Sequence, residues 1–395
     1  MGSYAVALRL PGARPLFAAG MAARIGFGAL TLPALLVLAE RYDGFTVAGI
    51  ALAGFGLTSG LLAPLRGRVI DHRGRVALVV LTVAFVALLA PAPWLPSSMP
   101  WLVVAVATLA GAVAPPAAAV TRRGWTALLG DSPDPVRTAA FSVDSVGEES
   151  AYVAGPALAA LGIAVVGREA AFLAAVGLVA TGSLILAGRT LGRRRPDETR
   201  TRPVPLAGPA RATVVRAALS VTGLGAVIGL VDTAVPALTS AAGAAALGGV
   251  LLAVYTLGSV IGVLVAGRIP AADPDRRRVL LGLVQVVALL PLLVVREPLP
   301  LAIALVVAGL PLGPLFVTCF LLVDRDVPLA AATQAYAWVT TAGNAFGALA
   351  MALAGVLVDR VGAGAVLMLT PLAAALSGIP AALWTRTGRG APRQA

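Results

Sequence analysis

Apolar and polar residues follow one another along this chain in long blocks. Helix needs about 20 apolar residues to cross about 30 Å of hydrocarbon. On that length the blocks predict twelve transmembrane helices, over residues 16–39, 46–66, 76–95, 101–121, 138–162, 170–189, 213–239, 244–266, 279–295, 301–323, 333–357 and 363–385. Prolines at 91, 93, 96 and 291 interrupt or close the third and ninth of these helices. Membrane helices tolerate such prolines.

The basic residues give these helices an orientation. All 30 are Arg. If the first helix starts inside, 25 fall in inward-facing segments, four in outward-facing ones (Arg41, Arg168, Arg296, Arg360), and Arg24 lies within a helix. Short inward-facing loops of membrane proteins carry such an excess of Arg and Lys. We therefore expect a multi-pass protein of the inner (cytoplasmic) membrane with both termini in the cytoplasm.

Composition agrees with a membrane location. The chain has 395 residues, 59% of them hydrophobic and 12% charged, with a mean hydropathy of +0.93. A soluble core of this size could not bury so much apolar surface, so lipid is the expected solvent. The net charge of +12 is spread over the inward-facing segments, which favours contact with anionic lipid headgroups over nucleic-acid binding.

The longest polar stretch divides the predicted helices six and six. It predicts two six-helix halves, 1–187 and 212–395, joined by a basic cytoplasmic linker, 188–211. The halves also resemble each other when shifted by about 200 residues, and the matches fall in corresponding helices: Ser59, Gly67 and Arg68 match Ser259, Gly267 and Arg268. A duplicated six-helix unit explains this repeat.

One loop resembles a known family signature. Gly67, Asp71, Arg73, Gly74 and Arg75 follow the second helix with the spacing of the cytoplasmic loop motif of the major facilitator superfamily. A degenerate counterpart follows the eighth helix. The resemblance implies an all-α fold of two six-helix bundles related by a pseudo-two-fold axis. It also implies alternating access to a site near the membrane midplane.

The residues of this loop suggest a cytoplasmic gate. We expect Gly67 to let two helices approach closely and Gly74 to permit a tight turn. Asp71 could accept hydrogen bonds from a helix N-terminus of the opposite half, which the resemblance places near Thr333. The alternative is a loop that only marks topology. His72 is expected to contact headgroups, with pH sensing as the alternative.

Charged residues inside predicted helices are the first candidate site. Ionisable groups are costly at mid-bilayer and mark functional positions. Arg24 lies in the first helix and Asp144, Glu148 and Glu149 lie in the fifth. Asp144 and Glu148 share a helix face, and Glu149 points about 100° away. We expect Arg24 to pair with Glu148 or Asp144, while the remaining carboxylate carries a coupling proton. A static ion pair is the alternative.

Four residues are candidates for a substrate cavity. Asp232 lies in the seventh helix, which the family resemblance places at the cavity, although it could also snorkel toward the outer interface. Thr340 and Asn344 share a face of the eleventh helix, where helix packing is the alternative role. Tyr255 of the eighth helix completes the set.

The remaining chemistry favours transport over catalysis. The chain has one histidine, His72, and one cysteine, Cys319, so Ser-His catalysis and His-Cys metal sites are not expected. We do not expect a cofactor either. We predict a secondary active transporter that moves a small, amphipathic molecule, is coupled to protons and works as a monomer.

One motif in the sequence bears on the direction of transport. Gly155 and Pro156 in the fifth helix resemble a motif of proton-coupled drug exporters. Export is therefore predicted, with proton-coupled or facilitated uptake as the alternative and a non-transporting membrane sensor as a more distant one.

Overall fold

The computed structural model describes residues 8–130, 134–190, 208–268 and 273–377. Over these ranges the backbone is almost all helical and contains no strand. The first half contains α1 (Ala13–Arg41), α2 (Phe45–Leu61), α3 (Ala63–Arg73), α4 (Arg75–Leu89), α5 (Pro100–Val113), α6 (Ala117–Leu129), α7 (Asp134–Val166) and α8 (Arg168–Thr190). The second contains α9 (Gly208–Ala241), α10 (Ala245–Ala266), α11 (Pro274–Leu289), α12 (Pro298–Gly309), α13 (Leu312–Asp326), α14 (Leu329–Val361) and α15 (Ala363–Met368).

Most predicted crossings correspond to long apolar helices. Of the described helices, eight are long and apolar enough to cross a membrane, or nine if α2 and α3 form one bent span. Two of the other three predicted crossings fall on shorter apolar helices, Val153–Val166 within α7 and Ala363–Ser377. The ninth falls on the 16-residue α11. The end of the last predicted crossing, 378–385, lies outside the described residues.

Two predicted crossings are broken in the structure. The second bends by 53° between α2 and α3. The fourth is interrupted between α5 and α6, where Pro115 and Pro116 cannot donate the backbone hydrogen bonds of a continuous helix. Helix α6 then continues to Leu129, beyond the predicted end of that crossing at residue 121. These breaks put the carbonyl ends of α2 and α5 within reach of the side chain of Arg66.

The chain divides into two compact units. One is Met1–Glu198 with Gly243–Ala253, and the other is Thr199–Ala242 with Val254–Ala395. In the first, α1 packs against α7 and α8; in the second, α9 packs against α14. Much of the predicted linker, 191–207, lies outside the described residues, so its boundaries stay a prediction.

Candidate functional site

A close contact between α1 and α7 positions the intramembrane charges. A Cβ on Gly155 would lie 2.5 Å from the carbonyl carbon of Gly28 and 2.7 Å from its Cα, so the two backbones touch at these glycines. Between Asp144 and Glu148 on α7, a Cβ on Gly147 would meet the ring of Phe17 of α1 at 2.7 Å. Small residues at both points hold α1 against α7, with Arg24 between them.

Two arginines and two carboxylates form an ion cluster within the first unit. Arg24 Nη1 lies 2.8 Å from Asp144 Oδ1, and its Nη2 lies 4.0 Å from Glu148 Oε2. Arg122 of α6 closes the cluster, with Nε 3.6 Å from Asp144 Oδ2 and Nη2 3.4 Å from Glu148 Oε2. The four formal charges balance, which lowers the cost of burying them.

The members of this ion cluster differ sharply in exposure. The Asp144 side chain is 1% exposed and that of Arg24 6%, whereas Glu148 is 29% exposed and Arg122 58%. Among the described residues, Arg24 Nε and Nη2 and Asp144 Oδ2 have no hydrogen-bond partner. Asp144 and Arg24 thus form a buried pair with spare hydrogen-bonding capacity, and Glu148 and Arg122 form its accessible edge.

Arg122 was not among the residues expected from the sequence. It directly follows the apolar block of the fourth crossing, where a basic residue is typical of the membrane boundary. Because α6 continues past this point, the guanidinium is directed to α7 instead. A possible signal was the break at Pro115 and Pro116, which starts a new helix. The side chain of Glu149 lies outside the described part of the structure.

The gate loop of the first half pairs with α6. Arg123 Nη1 lies 2.7 Å from Asp71 Oδ1, and both side chains are exposed. Gly74 adopts φ +60° between α3 and α4, a conformation that favours glycine, as the tight turn there requires. Arg73 and Arg75 are exposed on either side of it.

The expected close approach at Gly67 was wrong for this structure. A Cβ built there meets no described atom within 4 Å. The close contact lies earlier in the span, where a Cβ on Gly111 of α5 would overlap the Phe55 carbonyl oxygen of α2. The span bends by 53° after α2, so α3 does not extend the packing of α2 on α5. The side chain of Thr333, the expected partner region of Asp71, lies outside the described residues.

The second half repeats the acid–arginine pair of the gate loop. Asp275, 204 residues after Asp71, accepts a hydrogen bond of 2.8 Å from Arg325, which lies 202 residues after Arg123. Asp326 binds the same arginine at 2.6 Å and also accepts a hydrogen bond from Thr213. Arg216 of α9 approaches both carboxylates, at 3.5 and 3.9 Å. The degenerate second loop therefore retains the ion pair but ties it into a larger network.

Arg66 is a second buried cation that sequence reasoning placed at the membrane surface. Its side chain is 6% exposed, and Nη1 donates to the Gly111 oxygen at 2.9 Å and the Ala112 oxygen at 3.3 Å. Nη1 also lies 3.4 Å from the Thr58 oxygen, and Nη2 donates to the Ser59 oxygen, both near the end of α2. The negative ends of two helices thus solvate the guanidinium, in place of a carboxylate.

The four cavity candidates of the second half do not form one group of contacts. Asp232 is half-buried on α9 and lies within electrostatic range of the hydroxyl of Tyr255, which is 5% exposed. That hydroxyl has no hydrogen-bond partner among the described residues. On α14, Thr340 is half-buried and Asn344 is exposed. The structure brings Asp232 near Tyr255 but leaves their roles as predictions.

Chemically, the ion cluster holds two carboxylates against two permanent cations. A carboxylate between two arginines is stable as the anion, and protonating it leaves excess positive charge that nearby groups or water must compensate. In the described parts of the chain, no group of three His, Cys, Asp or Glu residues could hold a metal ion.

Comparisons with known proteins agree with the fold. The family description "Major Facilitator Superfamily" matches residues 16–350. No curated protein sequence matches the chain. Solved structures with similar folds include an auto-inhibited peptide transporter of the POT family, with 13% identity, TM-score 0.66, and coverage of 97% of this chain and 98% of that one.

Two further structures have TM-scores of 0.71. The nucleoside transporter NupG is 12% identical, with 93% of this chain and 99% of that chain covered. A POT peptide transporter is 14% identical, with 96% and 95% covered. At such low identity these likenesses show the fold alone. They confirm the predicted all-α membrane fold, and with the match over residues 16–350 the chain belongs to the major facilitator superfamily.

Proposed function

We propose that this membrane transporter couples movement of a small amphipathic molecule to proton movement, with Glu148 as the proton carrier. The observation that carries the proposal is the unequal ion cluster in the first unit. Asp144 is 1% exposed and 2.8 Å from Arg24, whereas Glu148 is 29% exposed and no closer than 3.4 Å to either arginine. The more weakly held, accessible carboxylate loses less interaction free energy on protonation.

The neighbouring charges supply a way to compensate the proton. When Glu148 is protonated, Arg122 retains Asp144 as a partner, with Nε 3.6 Å from Oδ2. Asp144 Oδ2 has no hydrogen bond in this structure and so has capacity to accept one from Arg122. Proton binding at Glu148 would then shift the α6 side chain toward Asp144, and Arg24 would stay in place.

Export is the direction we propose, with the proton moving inward as the molecule moves out. Its support is the resemblance of Gly155 and Pro156 to a motif of proton-coupled exporters. The structure gives those residues a place beside the site, since Gly155 contacts Gly28 one helical turn from Arg24. Peptide and nucleoside transport by the structural neighbours does not decide the direction or the substrate here.

Flux in proteoliposomes under an imposed pH gradient tests the proposal. We expect Glu148→Gln to abolish gradient-driven flux while substrate binding and folding are kept. Glu169→Gln is the matched control, because Glu169 is an exposed carboxylate at the start of α8. Gradient-driven flux that is unchanged in Glu148→Gln would refute the assignment. Reversing the gradient reports the direction, since an exporter accumulates substrate on the side with more protons.

A further inference from the structure

The second unit contains an intramembrane carboxylate without a charged partner. Asp232 lies within the apolar part of α9, where an ionisable group is costly and marks a functional position. No arginine and no hydrogen-bond donor of the described chain acts on its carboxyl group. Between Arg216 and the end of α10 at Ala266, the sequence contains no basic residue. Asp232 therefore differs from Asp144, which lies 2.8 and 3.6 Å from two arginines.

The Asp232 side chain is accessible through a narrow opening. From 221 to 239, every residue of α9 is buried except the half-buried Ile228, Asp232 and Leu238. Ile228 and Asp232 are four residues apart and share a helix face. Helix α10, by contrast, exposes large apolar side chains such as Leu264. The surface at Asp232 is thus a small gap in an otherwise covered helix, and it is not a lipid-facing side.

Snorkelling does not explain the position of this carboxylate. Helix α9 continues from Asp232 to Ala241, which is about 14 Å farther along its axis. Snorkelling relies on the long stems of Lys and Arg, whereas Asp carries its carboxyl group on a single methylene. The charge of Asp232 must therefore be compensated where it lies, by a proton or by a cation that binds there.

A second polar group near Asp232 has free bonding capacity. The hydroxyl of Tyr255 on α10 lies within electrostatic range of the Asp232 carboxyl and has no hydrogen-bond partner among the described residues. Tyr255 is 5% exposed, and a buried polar group that stays unpaired costs free energy. Both residues belong to the second unit. A carboxylate and a hydroxyl thus offer acceptor atoms to one positively charged donor.

We propose that Asp232 and Tyr255 bind the protonated amine of the transported molecule. An ammonium group donates hydrogen bonds and supplies the positive charge that Asp232 lacks. A divalent metal ion would need about six oxygen ligands, more than one carboxylate and one hydroxyl supply. Ile228 lies one turn from Asp232 on the same face and offers an apolar contact to the rest of the molecule. Transport of this molecule rests on the proposed function, and the amine site rests on these side chains alone.

Fluorine NMR on the full chain in detergent tests the site, with protein-free micelles as the reference. The probes are 2-(4-fluorophenyl)ethylamine, which is protonated at neutral pH, and 2-(4-fluorophenyl)ethanol, a neutral molecule of similar size. We expect the intact chain to bind the amine at least roughly tenfold more tightly than the alcohol, because only the amine is an ionic partner for Asp232.

Asp232→Asn removes the charge and nearly keeps the size of the side chain. We expect it to weaken amine binding by at least roughly tenfold and to leave alcohol binding within about twofold. Its Tm should not fall, because no buried charge loses a partner. Glu297→Gln removes an exposed carboxylate at the start of α12 and is the matched control. Tyr255→Phe should weaken amine binding by about threefold, through the loss of one hydrogen bond.

Two results would overturn the amine site. One is an alcohol that binds the intact chain as tightly as the amine, because the site would then not select a cation. The other is amine binding that is unchanged in Asp232→Asn while the Tm shows a folded protein. In that case a proton, and not a ligand, compensates the charge of Asp232.

This inference and the proposed function fail in different ways. If the amine binds with the expected pattern but no compound shows gradient-driven flux, the amine site stands and proton-coupled transport is wrong. If Glu148→Gln abolishes gradient-driven flux but Asp232→Asn leaves amine binding unchanged, transport stands and the amine site is wrong.

Discussion

Removing the charge of Asp144 is the sharpest test of the buried pair. Asp144→Asn keeps the size of the side chain and an oxygen that can face Arg24, so any loss of stability reports the charge. At an effective dielectric constant of about 20, attraction at the 2.8 Å Arg24–Asp144 separation amounts to about 6 kcal/mol. At the 3.6 Å separation from Arg122 it amounts to about 5 kcal/mol.

Those attractions are offset by two terms. Burying the carboxylate costs several kcal/mol, and its repulsion with Glu148 disappears in the variant. Leaving Arg24 without its closest partner in a site where it is 6% exposed therefore lowers the free energy of unfolding by about 3–5 kcal/mol. Thermal unfolding of the detergent-solubilised protein, followed by intrinsic fluorescence, should show a Tm lower by on the order of 10 °C.

A double variant decides whether the loss comes from the unpaired arginine. Arg24→Gln combined with Asp144→Asn removes both charges, and its Tm should lie well above that of Asp144→Asn alone, because no buried cation remains unpaired. If the double variant is instead destabilised by the sum of the two single effects, the pair contributes no coupling energy and the reasoning fails.

Three other changes have expected outcomes. Gly155→Ala places a Cβ 2.5 Å from the Gly28 carbonyl carbon and should lower the free energy of unfolding by about 1–3 kcal/mol, measured by thermal unfolding. The control Gly177→Ala, whose Cβ meets nothing within 4 Å, should leave stability unchanged. Equal Tm values for the two variants would contradict the α1–α7 contact. Arg66→Met removes the donor that binds carbonyl groups at the ends of α2 and α5, and should lower stability by about 2–4 kcal/mol in chemical unfolding. No change would mean that water replaces the guanidinium. Arg123→Gln should lower stability by less than about 1 kcal/mol, because its pair is exposed, and a larger loss would show that the gate loop depends on it.

The helices were predictable from sequence because lipid restricts the choice. Backbone groups in hydrocarbon must be satisfied within the segment, so a block of about 20 apolar residues has only the helix available. Helix breaks were harder. Prolines 115 and 116 indicate an interruption between α5 and α6. The bend between α2 and α3 has a weaker sequence signal, because only Pro64, the second residue of α3, suggests a new helix start.

The site was partly predictable for the same reason. A charge in the middle of an apolar block, such as Arg24 or Asp144, is conspicuous because its burial is costly. Arg122 and Arg66 were not, since each lies at the end of an apolar block, where most arginines contact headgroups. Whether such a residue turns inward depends on where the helix breaks, and that is decided by tertiary packing.

Arg66 also has a consequence for movement. Its guanidinium binds carbonyls at the end of α2 and, through Gly111 and Ala112, at the end of α5. Arginine keeps its charge at every physiological pH, so proton binding elsewhere cannot loosen this bridge. Straightening the bend between α2 and α3 would strip the charge of its acceptors. We therefore expect α2, α3 and α5 to move together in a conformational cycle.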